Sequence, residues 1–520
     1  MIVAVTGLGG SGKTTMLQRL REILPVEVVH YPDAEGILPV LRRASPWHRG
    51  RAHDHAYRDT PPRPGLLVFW VKAGLFLLDA WVVWFRHLRH RPGMVLCDRC
   101  PYDYLVYLHS VATSGRRFLA WLARLMPRVD GVVYVDVRPE IVRDRKPEWG
   151  LEYLRRQAKA YMAVLGQAPA VVYPFDGAKS PEALARGLAD LLDLISQRSR
   201  LDAATLTLLG LLDPEVRTRR ASLLAVLKPP KADVIRVARK NRLAYAIAQA
   251  RGDSQTEFRD VSDRYGRWAQ TVGWLNETCR RHSLRLMIIK SFLSSPVPRL
   301  PSDVDVIVPD TDRRRLAEIL AEHGKLRQVE QQKWEWRVPD LLPVDLYIGG
   351  VHETAMETVG EAWLWERAVS RDALHYPSGE AEILLVIAHS THETAVITLF
   401  DLIQVKRLSD MQSIDWAAMT REAARCGWKP LLDLWLTYLN GIYMAMLHRQ
   451  IAPGWPATPP YFGGFPIHLP LTWLLLTWGK WNWEKRVQGT MPAVGLIAHA
   501  VRAARIWHVR RSGRIPFHDD

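Results

Sequence analysis

The chain has 520 residues, beyond the length at which one hydrophobic core keeps growing, so two or three domains are expected. Apolar residues make up 48%, enough to build those cores, and no stretch has the composition of a disordered chain. Four scattered cysteines exclude a secreted disulfide framework, while a net charge of +16 favours anionic partners: nucleotides, nucleic acid or an acidic membrane face.

The chain opens on Met1-Ile2-Val3-Ala4-Val5-Thr6, with no basic n-region and no small-residue cleavage site, so a reducing cytoplasm is the expected location. Ile2 to Val5 reads as a buried strand, and Thr15 to Leu24 as a helix with Met16, Leu17 and Leu20 on one side. Between them stands Gly7-Leu8-Gly9-Gly10-Ser11-Gly12-Lys13-Thr14, a complete G-x-x-x-x-G-K-T. In such a loop Gly7, Gly9, Gly10, Ser11 and Gly12 turn backbone N–H groups around a β-phosphate. The start of the helix at Lys13, Thr14 and Thr15 adds positive potential. Lys13 can reach the β- and γ-phosphates and the Thr14 hydroxyl can ligate Mg²⁺, so ATP and magnesium are the expected cofactors.

Gly65 to Phe85 is almost long enough to span a bilayer. Lys72, Asp79 and Arg86 fall seven apart, however, on nearly one helical face. The segment therefore reads as a buried core helix with one wet edge, not a membrane span.

Met94 to Cys97 reads as a second buried strand, and Cys97-Asp98-Arg99-Cys100 follows. The Cys-x-x-Cys spacing suits a zinc or redox site, but Cys279 and Cys426 stand apart from each other and supply no second ligand pair. Asp98 and Arg99 would emerge at the carboxyl end of the strand, where open parallel sheets place ligands. The carboxylate can order water around a magnesium ion, and the guanidinium can bridge donor and acceptor phosphates.

The phosphate loop followed by Asp98-Arg99 resembles the thymidylate kinase-like nucleoside monophosphate kinases. Gly131 to Val137 resembles that family's late strand, with Arg138-Pro139-Glu140 after it, Glu152 to Tyr161 its following helix, and Val171 to Asp176 its last strand. The likeness covers about residues 1–195. It implies that Lys13 and Thr14 hold ATP and magnesium, and that Asp98 and Arg99 align donor with acceptor. It also implies that Arg143 and Arg145, with Lys146 beside them, stabilise the transferring phosphoryl group. The family's acceptor segment after the second strand is replaced by His30-Tyr31-Pro32-Asp33-Ala34-Glu35-Gly36, and the lid stretch is short. Phosphoryl transfer is therefore better supported than thymidylate as acceptor.

The first domain is expected to end at 198, in the polar stretch Ser196 to Arg200. A second is expected over 199–410 and a helical extension over 411–520. Helical patterning leads to Leu286–Ile289 and Val304–Val308, which read as strands. Asp303 and Asp305 lie two apart, on one face of a strand, and Asp345 sits in a third apolar run. Three such carboxylates can hold two magnesium ions for nucleotidyl transfer. The order Lys290-Ser291, Arg299, Ser302-Asp303-Val304-Asp305, a helix over Arg313–His323, then Val344-Asp345-Leu346 resembles the nucleotidyltransferase superfamily related to DNA polymerase β. It is most similar to an uncharacterised bacterial branch, whose trailing helix Glu382–Asp401 resembles, with His389 and His392. The resemblance implies Asp303, Asp305 and Asp345 as metal ligands and Lys290, Ser291 and Arg299 as phosphate contacts. Lys290 replaces the glycine common in the superfamily at large.

His352-Glu353-Thr354-Ala355 and His392-Glu393-Thr394-Ala395 lack the second histidine of a zincin helix. His389 and His392 read as a satisfied pair on a helix. The tryptophan-rich 472–484 stretch is a candidate peripheral membrane contact, and Val494 to Arg511 an amphipathic basic helix. The expected fold class is α/β: a parallel P-loop sheet flanked by helices, then an α+β nucleotidyltransferase-like domain with a helical C-terminal extension. The expected function is phosphoryl transfer from ATP to a nucleotide-like acceptor, with metal-dependent nucleotidyl transfer by the second domain. A nucleotide-gated binding protein and a nucleic-acid-modifying enzyme stay open beside it, although no nucleic-acid-binding motif accompanies the charge.

Overall fold

The structure is a computed structural model and describes residues 1–30, 66–91, 93–111, 115–197, 201–251, 256–290, 302–330, 332–353, 356–457 and 465–469. The expectations at 31–36, Ser291, Arg299, 472–484 and 494–511 lie outside the described residues. Contacts divide the chain into two compact units, Met1–Gly210 with Glu215–Val234, and Leu211–Pro214 with Ile235–Asp520.

Unit 1 is built on a five-stranded sheet. Its strands are β1 (Ile2–Gly7), β2 (Glu27–His30), β3 (Val95–Asp98), β4 (Gly131–Asp136) and β5 (Val172–Asp176), in the order β2-β3-β1-β4-β5. All pairings are parallel, which calls for continuous apolar runs buried on both faces, as Val3 to Val5 and Val132 to Val135 are. A parallel sheet puts every carboxyl end on one edge, so His30, Gly7, Asp98, Asp136 and Asp176 all finish there.

Helices α1 (Lys13–Ile23), α2 (Leu66–Val83), α3 (Tyr102–Val111), α4 (Arg116–Leu122), α5 (Pro139–Arg145), α6 (Leu151–Leu165) and α7 (Pro181–Ser196) connect the strands. Met16, Leu17 and Leu20 form the buried face of α1, the stripe expected from their spacing. Of the expected polar edge, Lys72 on α2 and Arg86 just beyond it are exposed, but Asp79 is buried, and apolar Val71 and Leu78 are exposed as well. Among the described residues no helix is long and apolar enough to cross a membrane.

The division lies later than the expected boundary at 198. Helix Ala221–Val226 packs on α7 so closely that a Cβ on Gly187 would lie 2.3 Å from Val226 Cγ2. The buried Arg220 guanidinium pairs with Asp193 at 2.6 Å. Lys228 then reaches the strand ends, 3.4 Å from Asp136 and 3.7 Å from Asp176.

Unit 2 holds a seven-stranded mixed sheet. Strands β6 (Met287–Ile288), β7 (Val304–Val308), β8 (Lys325–Glu330), β9 (Lys333–Arg337), β10 (Val344–Ile348), β13 (Ala368–Arg371) and β14 (Leu374–Pro377) take the order β13-β14-β6-β7-β10-β9-β8. Two small pairs stand apart, β11 (Gly350–Glu353) with β12 (Met356–Gly360), and β15 (Val396–Ile397) with β16 (Ile467–His468). Helices α8 (Thr256–His282) and α9 (Arg313–His323) belong to this unit, and Trp274 of α8 stacks on buried Trp336 at 4.6 Å.

The expected single helix over Glu382–Asp401 is broken. α10 (Gly379–Ala388) widens into a π turn over His389–Glu393, and a new helix, α11 (Leu399–Met411), begins in a capping box between Thr398 and Asp401. Helices α12 (Trp416–Arg425) and α13 (Lys429–Leu447) belong to unit 2. Trp428 Nε1 donates to Thr358 O at 2.8 Å, and Trp435 Nε1 to Ser390 Oγ at 3.0 Å. The described part of the expected extension is thus packed into this unit.

Candidate functional site

Between β1 and α1 the backbone turns through Gly7 (φ 144°), Gly10 (φ 81°) and Gly12 (φ 92°), conformations that strain residues bearing a Cβ. Gly9 has a different constraint, since a Cβ there would lie 1.8 Å from the Trp149 ring. The turn folds Lys13 back over its own loop. Its buried Nζ donates to Gly7 O and Leu8 O, both at 2.8 Å, and to Ser11 Oγ at 3.2 Å. Burial, reinforced by the nearby Arg99 charge, lowers the Lys13 pKa to about 8.

A network that the sequence did not announce holds the loop from below. Asp103, in the first turn of α3, accepts from Thr6 Oγ1 at 2.7 Å, from Cys100 N at 2.7 Å and from the Tyr161 hydroxyl. The same Tyr161 hydroxyl, on α6, lies 3.0 Å from Gly7 O, so its one proton is shared between the carboxylate and that carbonyl. Tyr161 thus reaches the carbonyl that Lys13 uses, and Asp103 holds Tyr161 in place.

Above the loop is a cleft of about 610 Å³ lined by Gly9 through Thr15, His30, Asp98, Arg99, Arg145, Lys146, Trp149, Gly177, Lys179, Pro181 and Leu184. The sheet order sorts these side chains. β4 and β5 and their loops bring Arg145, Lys146, Lys179, Pro181 and Leu184, while β2 and β3 bring His30, Asp98 and Arg99. Arg99 has a left-handed backbone (φ 70°), with its N–H bonded to Val5 O at 2.9 Å. His30 Nδ1 lies 3.2 Å from Asp98 Oδ2, and 41% of the His30 side chain is exposed. Arg145 donates to Gly10 O at 3.4 Å, and Lys146 lies over the Trp149 ring at 5.5 Å.

The cleft thus gathers Lys13, Thr14, Thr15, Asp98, Arg99 and Arg145. Arg143, exposed on α5, is not among its lining residues. A hydroxyl at Thr14 and a carboxylate at Asp98 facing one cleft are the donor types that a hydrated magnesium ion takes, so these residues fit that group. Cys97 and Cys100 are buried, and burial pushes the Cys97 thiol up to about 12 and Cys100 well above its usual value. They flank the site as inert thiols.

In unit 2, β7 and β10 are parallel and in a register that sets Asp345 beside Asp305. Asp303 lies one residue before β7, and Ser302 Oγ donates to it at 3.0 Å. Each strand aspartate faces a lysine. Lys333 Nζ lies 2.7 Å from Asp345 Oδ2, and Lys290 Nζ lies 3.6 Å from Asp305 Oδ1. Lys290 takes a left-handed backbone (φ 51°) and also lies 3.2 Å from His389 Nδ1, so the π turn brings His389 to the site. His392, by contrast, is buried edge-on against Trp428. Burial raises the Asp345 pKa, with Lys333 opposing and Asp305 adding to the rise. Among the described residues no group of three or more His, Cys, Asp or Glu is placed to hold a metal ion. As arranged, Asp305 and Asp345 are each held by a lysine that a metal ion would have to displace.

Residues 241–443 match a family model described as uncharacterised nucleotidyltransferase. A "Probable thymidylate kinase" from Pyrobaculum aerophilum is 26% identical over 202 residues, covering 36% of this chain and 95% of that protein. Two solved structures of deoxyadenosine kinase from M. mycoides, one with bound dATP and one with products dCMP and a flexible dCDP, are 14% and 15% identical. They cover 37% of this chain and 99% and 98% of their own, with a TM-score of 0.26 in each case. A kinase-like N-terminal region is thus joined in one chain to a region similar to the nucleotidyltransferase family.

Proposed function

We propose that unit 1 transfers the γ-phosphoryl group of ATP to a nucleotide-like acceptor. The observation that carries this reading is the single cleft in which the phosphate loop, Lys13 and Thr14 face Asp98, Arg99 and Arg145. Backbone N–H groups of the loop and the start of α1 bind the β-phosphate, and Lys13 exchanges its loop carbonyls for phosphate oxygens. The Thr14 hydroxyl would hold magnesium, with Asp98 ordering its water, and the ion would supply charge neutralisation for the phosphates. Arg99 bridges donor and acceptor, and Arg145, closer to the loop than Arg143, stabilises the transferring group. The donor base extends toward Gly177, Pro181 and Leu184, and the acceptor enters from the β2–β3 side.

The test is transfer from γ-labelled ATP to a panel of nucleoside monophosphates and nucleosides. Labelling that depends on Lys13 is expected. Equal labelling by wild type and Lys13→Ala would sink the kinase reading.

For unit 2 the reading is a second nucleotide site at Asp303, Asp305, Asp345 and Lys290, with nucleotidyl transfer as its reaction. The lysines on Asp305 and Asp345 favour a second reading, nucleotide binding without metal. Nucleotide binding measured in a Lys13→Ala background, with and without magnesium, separates the two. Dependence on both magnesium and Asp305 supports transfer, and indifference to magnesium supports binding alone.

A further inference from the structure

We propose that Lys333 of β9 is a phosphate-binding residue of the unit 2 site, and that it and Lys290 hold the phosphate chain of a nucleoside triphosphate between them. The inference rests on the reading of unit 2 as a nucleotide site and adds to it a residue and the ligand group that residue takes.

Four neighbouring strands, in the order β6-β7-β10-β9, build the place. The inner two carry Asp305 and Asp345 side by side, and the outer two bring the lysines, Lys290 just past β6 and Lys333 at the start of β9. Lys333 is opposite Tyr347 in the antiparallel register of β9 and β10, and Tyr347 is two residues from Asp345, so all three side chains share a face. The Lys333 ammonium lies 4.9 Å from the centre of the Tyr347 ring, and that of Lys290 lies 5.4 Å from the same centre. Two cations from opposite sides of the aspartate pair thus converge on one ring.

Stability does not account for this arrangement. Lys325, Arg327 and Arg337 on β8 and β9 are exposed, as lysines and arginines usually are, whereas the Lys333 side chain is only 18% exposed and that of Lys290 8%. Taking such ammonium groups out of water offsets most of what pairing them with carboxylates returns, and apolar side chains of similar volume would serve the fold as well. Lys290 also takes a left-handed backbone (φ 51°), costly for a residue with a Cβ and frequent at ligand clamps. What the two lysines keep, and apolar residues would not, is the capacity to bind an anion.

Their carboxylate partners make the exchange possible. Lys333 Nζ sits 2.7 Å from Asp345 Oδ2 and Lys290 Nζ 3.6 Å from Asp305 Oδ1, much as Lys13 sits on its own loop carbonyls in unit 1. A phosphate oxygen reaching either lysine takes over from a carboxylate oxygen through a charge-assisted hydrogen bond of the same kind. Charge stays balanced when the nucleotide comes with magnesium, since the released carboxylates are groups that such an ion takes.

The experiment uses the full chain in a Lys13→Ala background, with ATP binding followed by calorimetry in magnesium buffer and folding checked by urea denaturation. Lys333→Met, which keeps the volume and loses the charge, is compared with Lys333→Arg, which keeps the charge. Lys333→Met is expected to weaken ATP binding about 10- to 100-fold, the worth of a charged hydrogen bond, while Lys333→Arg stays within a few-fold of its parent. Should Lys333→Met not fold, Lys333→Gln, which can still hydrogen-bond Asp345, carries the same expectation. Undiminished or tighter binding in the uncharged variant, with binding still altered by Asp305→Ala, would overturn the proposal and leave unit 2 a nucleotide site. A loss in Lys333→Arg as deep as in Lys333→Met would also overturn it, by making the role of Lys333 one of packing. No ATP binding by the Lys13→Ala protein, or binding indifferent to Lys333→Met and Asp305→Ala alike, would instead defeat the reading of unit 2 itself.

Discussion

Asp103 accepts a 2.7 Å hydrogen bond from Thr6 Oγ1, tying the first turn of α3 to the last residue before the phosphate loop. Because it also takes the Cys100 N–H and the Tyr161 hydroxyl, one carboxylate satisfies three donors. Asp103→Ala should therefore cost about 1–3 kcal/mol of stability and weaken ATP binding, since the Gly7 carbonyl loses its frame. Urea denaturation with calorimetry checks this, and Tyr161→Phe should show the smaller effect. An Asp103→Ala protein with unchanged stability would remove the network from the account.

Lys13 makes nucleotide affinity depend on pH. ATP binds its charged form, and in the free protein that form is lost as pH rises through about 8. Bound phosphates hold the proton more tightly, so affinity should be full below about 8 and decline above it. Calorimetry at several pH values should also show proton uptake on binding near that value. The same depression makes the charged lysine a cost to the empty fold, greatest below about 8 and relieved as pH approaches the unfolded value of 10.5.

Replacing both Cys97 and Cys100 by serine should leave phosphoryl transfer within a few-fold of wild type, because neither thiol ionises near neutral pH. Arg99→Ala should lower it about 10³-fold. The opposite order in a rate assay would return the Cys-x-x-Cys to the chemistry.

Lys333 is the counterion of a half-buried carboxylate. Its removal in Lys333→Ala should cost about 1–3 kcal/mol, between the values for exposed and buried pairs. Asp345 is already raised above its unfolded value of 3.8, so its ionisation costs stability that the fold keeps at lower pH. Without Lys333 the rise grows, and the stability of the variant should fall more steeply than wild type as pH climbs out of that range. Denaturation curves at several pH values test the sign. Calorimetric titration with magnesium is expected to show binding by the variant that exceeds wild type.

What could be read from residues alone follows from distance along the chain. The phosphate loop was legible because its glycines, lysine and threonine are contiguous and bracketed by an apolar run and a helical stripe. β7, α9 and the aspartate pair were legible for the same reason. Asp103 was not, since its partners Thr6 and Tyr161 lie 97 and 58 residues away. His30 and Asp98, 68 apart, meet only because β2 pairs with β3. Lys333 sits in an alternating strand and resembles any solvent-facing lysine until β9 is laid against β10. The break after Glu393 escaped notice because the apolar stripe runs on through it, whereas Ala395 takes φ 53° and Thr398 starts a fresh cap.

The Trp149 ring occupies the space that any side chain at position 9 would need. The two positions are therefore negotiable only together. Gly9→Ala alone collides with the indole, Trp149→Ala alone opens a hollow over the loop, and the double change relieves both faults. In a lineage of such proteins, a bulkier residue at 9 would have to arrive with a smaller one at 149, so the pair would record its contact as a shared history of substitution.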